Sequence, residues 1–108
     1  MTNPIVVFIT ASSADEARKI GQTLVEERLV ACCNILQSIE SIFQWQGKLN
    51  IEREVLMICK TREGHFAAVE KRVKQLHSYE VPEIIAVPIT QGSQSYLDWI
   101  KKETIALG

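Results

Sequence analysis

The side chain best suited to metal chemistry in this sequence is that of His77. It lies in a short segment between a helical and an extended stretch, beside Tyr79 and Glu80. Imidazole is a good ligand for copper(II), which needs further nitrogen, oxygen or sulfur donors in a tetragonal arrangement. The alternative is a structural histidine that bonds the last carbonyls of the helix or packs on Tyr79. The second histidine, His65, starts a helical stretch and is expected to be a solvated surface residue.

The chain also contains three cysteines, Cys32, Cys33 and Cys59. An odd number of cysteines does not suggest a disulfide framework. Adjacent residues of a strand point to opposite faces, so Cys32 and Cys33 cannot bind one metal ion together. We expect Cys33 and Cys59 to be small core residues, and the role of Cys32 stays open.

Composition and motifs exclude several classes of protein. The 108 residues carry 12 basic and 13 acidic side chains, and no basic face marks a nucleic-acid binder. The apolar run at residues 5–9 is too short for a signal peptide or a membrane span. We therefore expect a cytosolic protein that binds neither nucleic acid nor membrane. No phosphate-binding loop, dinucleotide fingerprint, zinc spacing or Ser/His/Asp signature is present, so we expect no enzyme.

The elements that position these residues follow from periodicity. Residues 4–11 and 83–89 predict strands, and Pro88 predicts that the second ends at an edge or a bulge. Ser13 and Glu16 predict a capping box that starts a helix ending near Leu29. Its buried stripe is expected at Ala17, Ile20, Leu24 and Val25. A second helix carries Phe66, Val69, Val73 and Leu76 at helical spacing, and a short third helix is marked by Tyr96, Leu97 and Ile100.

Residues 32–62 predict two long strands joined by a tight turn at residues 46–48, where Gly47 supplies a positive φ. Ile35, Ile39, Phe43 and Trp45 all fall on odd positions, which predicts one buried face. Each arm has about 14 residues, so the hairpin extends roughly 45 Å. It therefore reaches beyond the core of its own domain, and a second copy of the chain is expected to cover its tip.

The predicted order is β-α-β-β-α-β followed by a terminal helix. This α+β arrangement is the split βαβ plan of ferredoxin-like folds, as one domain over residues 1–108. Right-handed crossovers place both long helices on one face of a four-stranded antiparallel sheet. Many unrelated activities occur on this fold, so the fold does not define a function.

Three motifs carry a resemblance to a known family: LVEERLVACCNI at 24–35, WQGK at 45–48 and HSYEVPEI at 77–84. Together with YLDW at 96–99, they resemble the CutA family of divalent-cation tolerance proteins along nearly the whole chain. The resemblance implies a homotrimer of ferredoxin-like subunits and tolerance to copper and other divalent cations, with no required cofactor. The expected trimer interface contains Phe43, Trp45, Gly47, Leu49 and Ile51.

The resemblance also bears on the candidate sites. Members proposed to bind copper carry a second histidine where this chain has Leu76 and a cysteine where it has Ile9, which leaves His77 as the candidate copper(II) ligand. The resemblance further implies that polar and aromatic residues gather in a cleft between subunits. They are Cys32, Asn34, Lys60, Tyr79, Glu83 and Trp99.

Such a cleft could bind a small anion or support acid–base chemistry. The alternative is that Glu83 and Lys60 pair across the interface while the aromatic residues fill it. Three functions follow: a metal-responsive trimer with weak copper(II) binding, a PII-like trimer that binds a small ligand in the cleft, or a non-catalytic trimeric scaffold.

Overall fold

The structure is a computed structural model that describes residues 3–106. Its strands are β1 (Pro4–Ala11), β2 (Cys32–Trp45), β3 (Lys48–Arg62) and β4 (Ile84–Pro88). Its helices are α1 (Ala14–Glu26), α2 (Phe66–Leu76) and α3 (Gln94–Glu103), and the 3-10 turn Glu63–His65 leads into α2. The predicted β-α-β-β-α-β order with a terminal helix is confirmed.

The four strands form one antiparallel sheet in the order β2-β3-β1-β4. This is the strand order expected for the ferredoxin-like α+β fold, with β1 and β3 in the centre. Alternate residues of β1 and β3 join the buried residues of α1 and α2 in one core, so both helices cover the same face of the sheet. Among the described helices, none is long and apolar enough to cross a membrane.

Helix α1 begins where Ser13 accepts a hydrogen bond from the backbone N–H of Glu16 at 3.1 Å. The Glu16 carboxylate reaches back to the N–H of Ser12 at 3.0 Å, one residue before the expected capping partner. The buried stripe contains Gly21 instead of the predicted Val25, which is exposed. Val25 lies one turn after Gly21 on the same helix face, but it begins the exposed stretch 25–28 in which the helix ends.

The helix also ends earlier than predicted, at Glu26 instead of near Leu29. Arg28 has a φ of 60°, a left-handed conformation that reverses the chain direction. The N–H of Leu29 then donates to the carbonyl of Leu24, and β2 begins at Cys32.

The prediction of one buried face along β2 is wrong, because a β-bulge divides the strand. Leu36 pairs with Leu56, but Ile39 pairs with Glu54, so β2 contains one extra residue at this point. Ser38 adopts a φ of 63° there. The extra residue reverses which face each later side chain occupies. Ile35 therefore lies on the helix-covered face, whereas Ile39, Phe43 and Trp45 lie on the opposite face.

Beyond the bulge, β2 and β3 leave the sheet and form a free hairpin, residues 39–54. The pairing of β1 with β3 ends at Ala11 and Val55, so the hairpin has no third strand beside it. Gln46 and Gly47 form its turn with φ values of 51° and 78°. The longest dimension of the molecule is 43 Å, which fits the predicted reach of the hairpin. Its large apolar side chains are exposed: Ile42, Phe43, Trp45, Leu49 and Ile51.

The face of the sheet opposite α1 and α2 is apolar and only partly covered. We call it the uncovered face, and its residues are half-buried or exposed. They are Val6, Phe8, Leu36, Leu56, Ile58, Ile85 and Val87. Helix α3 contacts β1 and β3 and buries Ile100. Strand β4 pairs with β1 along its length and ends at Pro88, at the edge of the described sheet, as predicted.

Candidate functional site

The His77 side chain is fully buried, and both of its ring nitrogens have hydrogen-bond partners. Nδ1 accepts from the backbone N–H of Tyr79 at 3.0 Å. The ring proton of the neutral side chain therefore lies on Nε2, which donates to the carbonyl of Thr10 at 2.7 Å. The ring also packs on Tyr79, with centroids 4.6 Å apart. The histidine thus holds the segment after α2 against the end of β1.

Glu16 anchors the same segment from α1. Its carboxylate accepts from the backbone N–H of Ser78 at 2.7 Å and from both the N–H and the hydroxyl of Ser12. One oxygen lies 3.8 Å from Nδ1 of His77. Burial tends to raise the pKa of this carboxyl, but the hydrogen bonds from Ser12 and Ser78 outweigh it and lower the pKa to about 2. Glu16 is therefore ionised and structurally fixed at neutral pH.

Tyr79 connects this segment to the free hairpin. Its hydroxyl donates to the carboxylate of Glu54 at 2.6 Å, and Glu54 is itself only 7% exposed. Burial and the neighbouring Glu54 carboxylate raise the pKa of the Tyr79 hydroxyl above its usual range. The pair fixes the position of residues 77–83 relative to the base of the hairpin.

An open groove of about 970 Å³ lies between the free hairpin and residues 77–83. We call it the hairpin groove. Phe43 and Trp45 line it on the hairpin side, and Tyr79 and Glu83 line it on the other. Four carboxylates and one guanidinium contribute to its wall, so the groove is acidic. They belong to Glu52, Glu54, Glu80, Glu83 and Arg53.

The other predicted cleft residues form a second group at the opposite end of the sheet, which we call the thiol–lysine cluster. It contains Cys32, Asn34, Lys60, Tyr96 and Trp99. Cys32 and Lys60 are directly opposite each other on β2 and β3, and the Lys60 ammonium donates to the side-chain oxygen of Asn34. The Tyr96 hydroxyl lies 3.5 Å from the sulfur of Cys32, and its ring packs on Trp99 at a centroid distance of 5.4 Å.

The six predicted cleft residues are therefore divided within one chain. Cys32, Asn34, Lys60 and Trp99 belong to the thiol–lysine cluster, whereas Tyr79 and Glu83 line the hairpin groove. Hydrogen bonding to Cys32 raises the pKa of Tyr96 to about 12, so Tyr96 keeps its proton at neutral pH. Tyr96 and Glu54 were not among the predicted site residues, and their role depends on contacts between residues far apart in sequence.

The expectation that His65 is a solvated surface residue is wrong. The residue is 2% exposed, and no described group accepts or donates a hydrogen bond at its Nε2. Burial lowers the pKa of the imidazole, and the nearby Arg62 lowers it further. The helical start predicted at His65 was correct, but the 3-10 turn directs this side chain inward under the chain that follows α3.

Metal-binding groups are sparse. Within residues 3–106, no three His, Cys, Asp or Glu side chains lie close enough together to hold a metal ion. Ile9 is a core residue, and Leu76 is partly buried against the core, so neither position supplies a metal ligand here. The three cysteines are free thiols. Any metal site built from one chain therefore has few preformed donors.

Fold and site together define a class of protein. It is a split βαβ domain with a long free hairpin, an apolar uncovered sheet face and a histidine fixed after α2. The family model described as "CutA1 divalent ion tolerance protein" matches residues 5–103. The chain belongs to this family.

Individual relatives agree. A divalent-cation tolerance protein CutA of Thermus thermophilus is 48% identical over 99 residues, covering 92% of this chain and 96% of that protein. A chloroplastic protein CutA of Arabidopsis thaliana is 42% identical over 93% of this chain, which spans only 55% of the longer plant protein.

Solved structures show the same similarity. The divalent cation tolerance protein Cut A1 of Thermus thermophilus superimposes with a TM-score of 0.91 at 46% identity, covering 94% of this chain and 98% of that chain. The periplasmic divalent cation tolerance protein CutA of Archaeoglobus fulgidus gives a TM-score of 0.90 at 44% identity, with 93% and 97% covered.

Proposed function

We propose that this chain acts in divalent-cation tolerance as a non-catalytic homotrimer located in the cytosol. The observation that carries the proposal is the apolar surface that one chain leaves uncovered. The uncovered face and the free hairpin together expose side chains such as Ile42 and Leu49, both 63% exposed. Contiguous apolar surface of this extent is typical of an interface. The relatives named above supply the link to divalent cations.

The hairpin argument extends to the predicted interface residues. Ile42, Leu49 and Ile51 lie on one face of the free hairpin, and Phe43 and Trp45 lie on the other. A neighbouring subunit that covers only one face would leave the second exposed. In a closed ring, each hairpin is placed between two neighbours, so both faces can be buried.

The proposal includes weak copper(II) binding, with His77 as the ligand. The accepting nitrogen of His77 is Nδ1, and it already receives the N–H of Tyr79. Copper has to displace that hydrogen bond, and the nearest carboxylate, from Glu16, is held by Ser12 and Ser78. These costs keep the affinity low. No cofactor is required for the fold.

Native mass spectrometry during a copper(II) titration at neutral pH tests the proposal. We expect a trimer that takes up copper weakly, and we expect less uptake by His77→Gln. Glutamine places a donor near the Thr10 carbonyl and so preserves part of the structural contact. The matched control is His65→Gln, which removes the other histidine and should leave uptake unchanged. A monomer contradicts the assembly, and tight uptake that both variants retain contradicts the role of His77.

A second function is supported by the thiol–lysine cluster. An ammonium, an amide, a thiol and two aromatic rings meet at one end of the uncovered face. In a trimer this group can face a neighbouring subunit and bind a small anionic ligand, as in PII-like regulators. Ligand-dependent thermal stabilisation that is lost in Lys60→Ala while the trimer persists would support this function. If neither a ligand nor copper binds, the trimer acts as a scaffold.

A further inference from the structure

Two of the three cysteines, Cys33 and Cys59, are directly opposite each other on neighbouring strands. They are register partners on β2 and β3, and both side chains lie on the face covered by α1 and α2. Both are free thiols. Cys32 is excluded from this pair because it lies on the other face, opposite Lys60. The two thiols belong to neither the hairpin groove nor the thiol–lysine cluster.

The backbone pattern shows which kind of pair they form. The N–H of Glu63 donates to the carbonyl of Asn3, and this fixes the alternation of hydrogen bonds between β1 and β3. Hydrogen-bonded pairs recur at every second residue, so Ile5–Thr61 and Val7–Cys59 are also hydrogen-bonded pairs. The N–H and carbonyl of Cys59 therefore point towards β1. Cys33 and Cys59 are therefore a non-hydrogen-bonded pair, in which the Cα atoms are about 4.5 Å apart and the side chains are closest. Disulfides span Cα separations from about 4.4 Å upward.

The surroundings give the two thiols different access. Cys59 is completely buried in the centre of the sheet. Cys33 is on the edge strand β2 and is only partly buried. Above Cys33, α1 presents Gly21, and a Cβ at that position would lie 3.1 Å from the Cys33 sulfur. A larger residue at position 21 would crowd this sulfur, so glycine permits the position that the Cys33 thiol occupies.

We propose that Cys33 and Cys59 are a reversible redox site that closes to a cross-strand disulfide when the cell contains a peroxide. The thiolate of Cys33 attacks one oxygen of hydrogen peroxide. The O–O bond breaks, and with one proton the products are a sulfenic acid at Cys33 and water. The sulfur of Cys59 then attacks the Cys33 sulfur, and the S–O bond breaks. The leaving oxygen takes the Cys59 proton and departs as a second water, so two thiols and one peroxide give one disulfide and two waters.

The order of the two steps follows from the environment of each sulfur. Hydrogen bonding with Cys59 and the positive charge of Lys60 lower the pKa of Cys33 despite its partial burial. Hydrogen bonding with Cys33 and burial raise the pKa of Cys59. Cys33 is thus both the more accessible thiol and the one that ionises first. Cys59 reacts only with a sulfur already inside the protein, so its burial does not prevent the second step.

Closure would join the edge strand β2 to the central strand β3 on the core side of the bulge. The bond encloses the whole free hairpin, residues 39–54, in a covalent loop. A cross-link of this kind restricts the unfolded chain, and we expect the thermal midpoint to rise by several degrees, on the order found for disulfides in domains of this size. Dithiothreitol should restore the original midpoint.

Peptide mapping of the full chain tests the proposal directly. The reduced protein is treated with hydrogen peroxide, alkylated and digested with trypsin, which separates Cys32 and Cys33, in residues 29–48, from Cys59, in residues 54–60. We expect these two peptides to be linked and Cys32 to be alkylated. Before alkylation, the mass of the intact oxidised protein should be lower than that of the reduced protein by about 2 Da. The control variant Cys32→Ser should form the same link, and Cys33→Ser should not.

Several results would overturn the proposal. One is full alkylation of all three cysteines after peroxide treatment, and another is a disulfide that contains Cys32, whether within or between chains. A third is a link between the expected peptides that persists in Cys33→Ser. Because the mapping is made on the unmodified sequence, the test does not depend on whether a buried Cys59 variant folds.

Discussion

At the level of single residues, Glu16 connects three parts of the chain. It lies in the first turn of α1, it accepts from Ser12 before the helix, and it accepts from Ser78 after α2. A carboxylate that accepts several hydrogen bonds is stabilised in its charged form. The same residue that starts α1 therefore also positions the His77 segment.

We predict that Glu16→Gln destabilises the protein at neutral pH by on the order of 1 kcal/mol, a value reduced for solvent screening. The folded pKa of about 2 is below the ordinary value of 4.5. The contribution of the carboxylate is therefore complete above pH 4.5 and is lost as the pH falls towards 2. Urea unfolding of both proteins across this range measures the difference, which should shrink on acidification.

The control for this prediction is Asp15→Asn, which removes an acidic charge from the same helical turn. Asp15 is almost completely exposed, and Arg18 is its ion-pair partner among residues 3–106. Its replacement should have a small effect at every pH. If Glu16→Gln and Asp15→Asn give the same pH profile, the hydrogen bonds to Ser12 and Ser78 are not the source of the stability.

His65 gives a prediction in a different pH range. Its folded pKa is below the ordinary value of 6.5 because the imidazole is buried. The unfolded chain therefore takes up a proton near pH 6.5 before the folded protein does, and stability should fall as the pH drops below that value. His65→Gln should remove this loss. Unfolding curves at pH 7.5 and pH 5 measure it, and parallel profiles for the two proteins would contradict the explanation.

At the level of secondary structure, the bulge at Ser38 determines which face of the free hairpin carries each side chain. It places Phe43 and Trp45 towards the hairpin groove and leaves Leu49 and Ile51 on the other side. The positive φ of Ser38 is the local conformation that permits the bulge.

We predict that Ser38→Val destabilises the fold by about 1–2 kcal/mol, because a β-branched residue is strained at positive φ. Ser38→Gly should be neutral or stabilising, since glycine adopts this conformation without strain. Thermal unfolding of both variants measures the difference.

The matched control is Ser41→Val, the same substitution three residues along the strand, where φ is not positive. Valine favours extended backbone, so this change should be neutral or slightly stabilising. Equal effects of valine at positions 38 and 41 would mean that backbone strain is not the cause.

At the level of the whole molecule, the helices protect one side of the sheet and leave the other side apolar. Val87 on β4 belongs to this uncovered face and is 43% exposed. If a second subunit packs there, a charge at this position becomes buried without a partner, which is costly. The isolated chain would tolerate the same charge, because solvent reaches the site.

We predict that Val87→Asp converts the proposed trimer into monomers while the secondary structure is kept. Size-exclusion chromatography with light scattering measures the assembly, and circular dichroism measures the fold. Val25→Asp is the matched control, because Val25 is similarly exposed at 39% but lies on α1, away from the uncovered face. A trimer that survives Val87→Asp would show that the interface does not include this face.

The position of most elements could be predicted from sequence because local patterns are strong here. The capping serine, the helical stripes and the Gln46–Gly47 turn each act over a few residues, and they were found where predicted except for Val25 in the first stripe. The bulge was missed, although the order apolar, apolar, polar, polar, apolar at residues 35–39 already departs from simple alternation. Without a glycine at this position, sequence gave no sign of the positive φ at Ser38.

The candidate sites were predictable only in part. Sequence selected His77, but it could not show that Thr10 and Tyr79 occupy both ring nitrogens. It grouped Lys60 with Glu83 in a cleft between subunits, and within one chain the two residues lie at opposite ends of the sheet. The contact between Thr10 and His77 joins residues more than sixty positions apart in the sequence, and no local sequence pattern indicates such a contact.

The sequence by itself therefore determined the elements, their order and the family motifs, because helix caps, turns and periodicity are local properties of the chain. The tertiary structure alone decided which side chains meet. A regular hairpin closed by the two-residue turn would place Cys33 opposite Lys60. The extra residue at the bulge shifts the register by one, so that Cys33 meets Cys59. One backbone conformation at Ser38 thus created the thiol pair, because in a sheet each partner is set by register rather than by residue type.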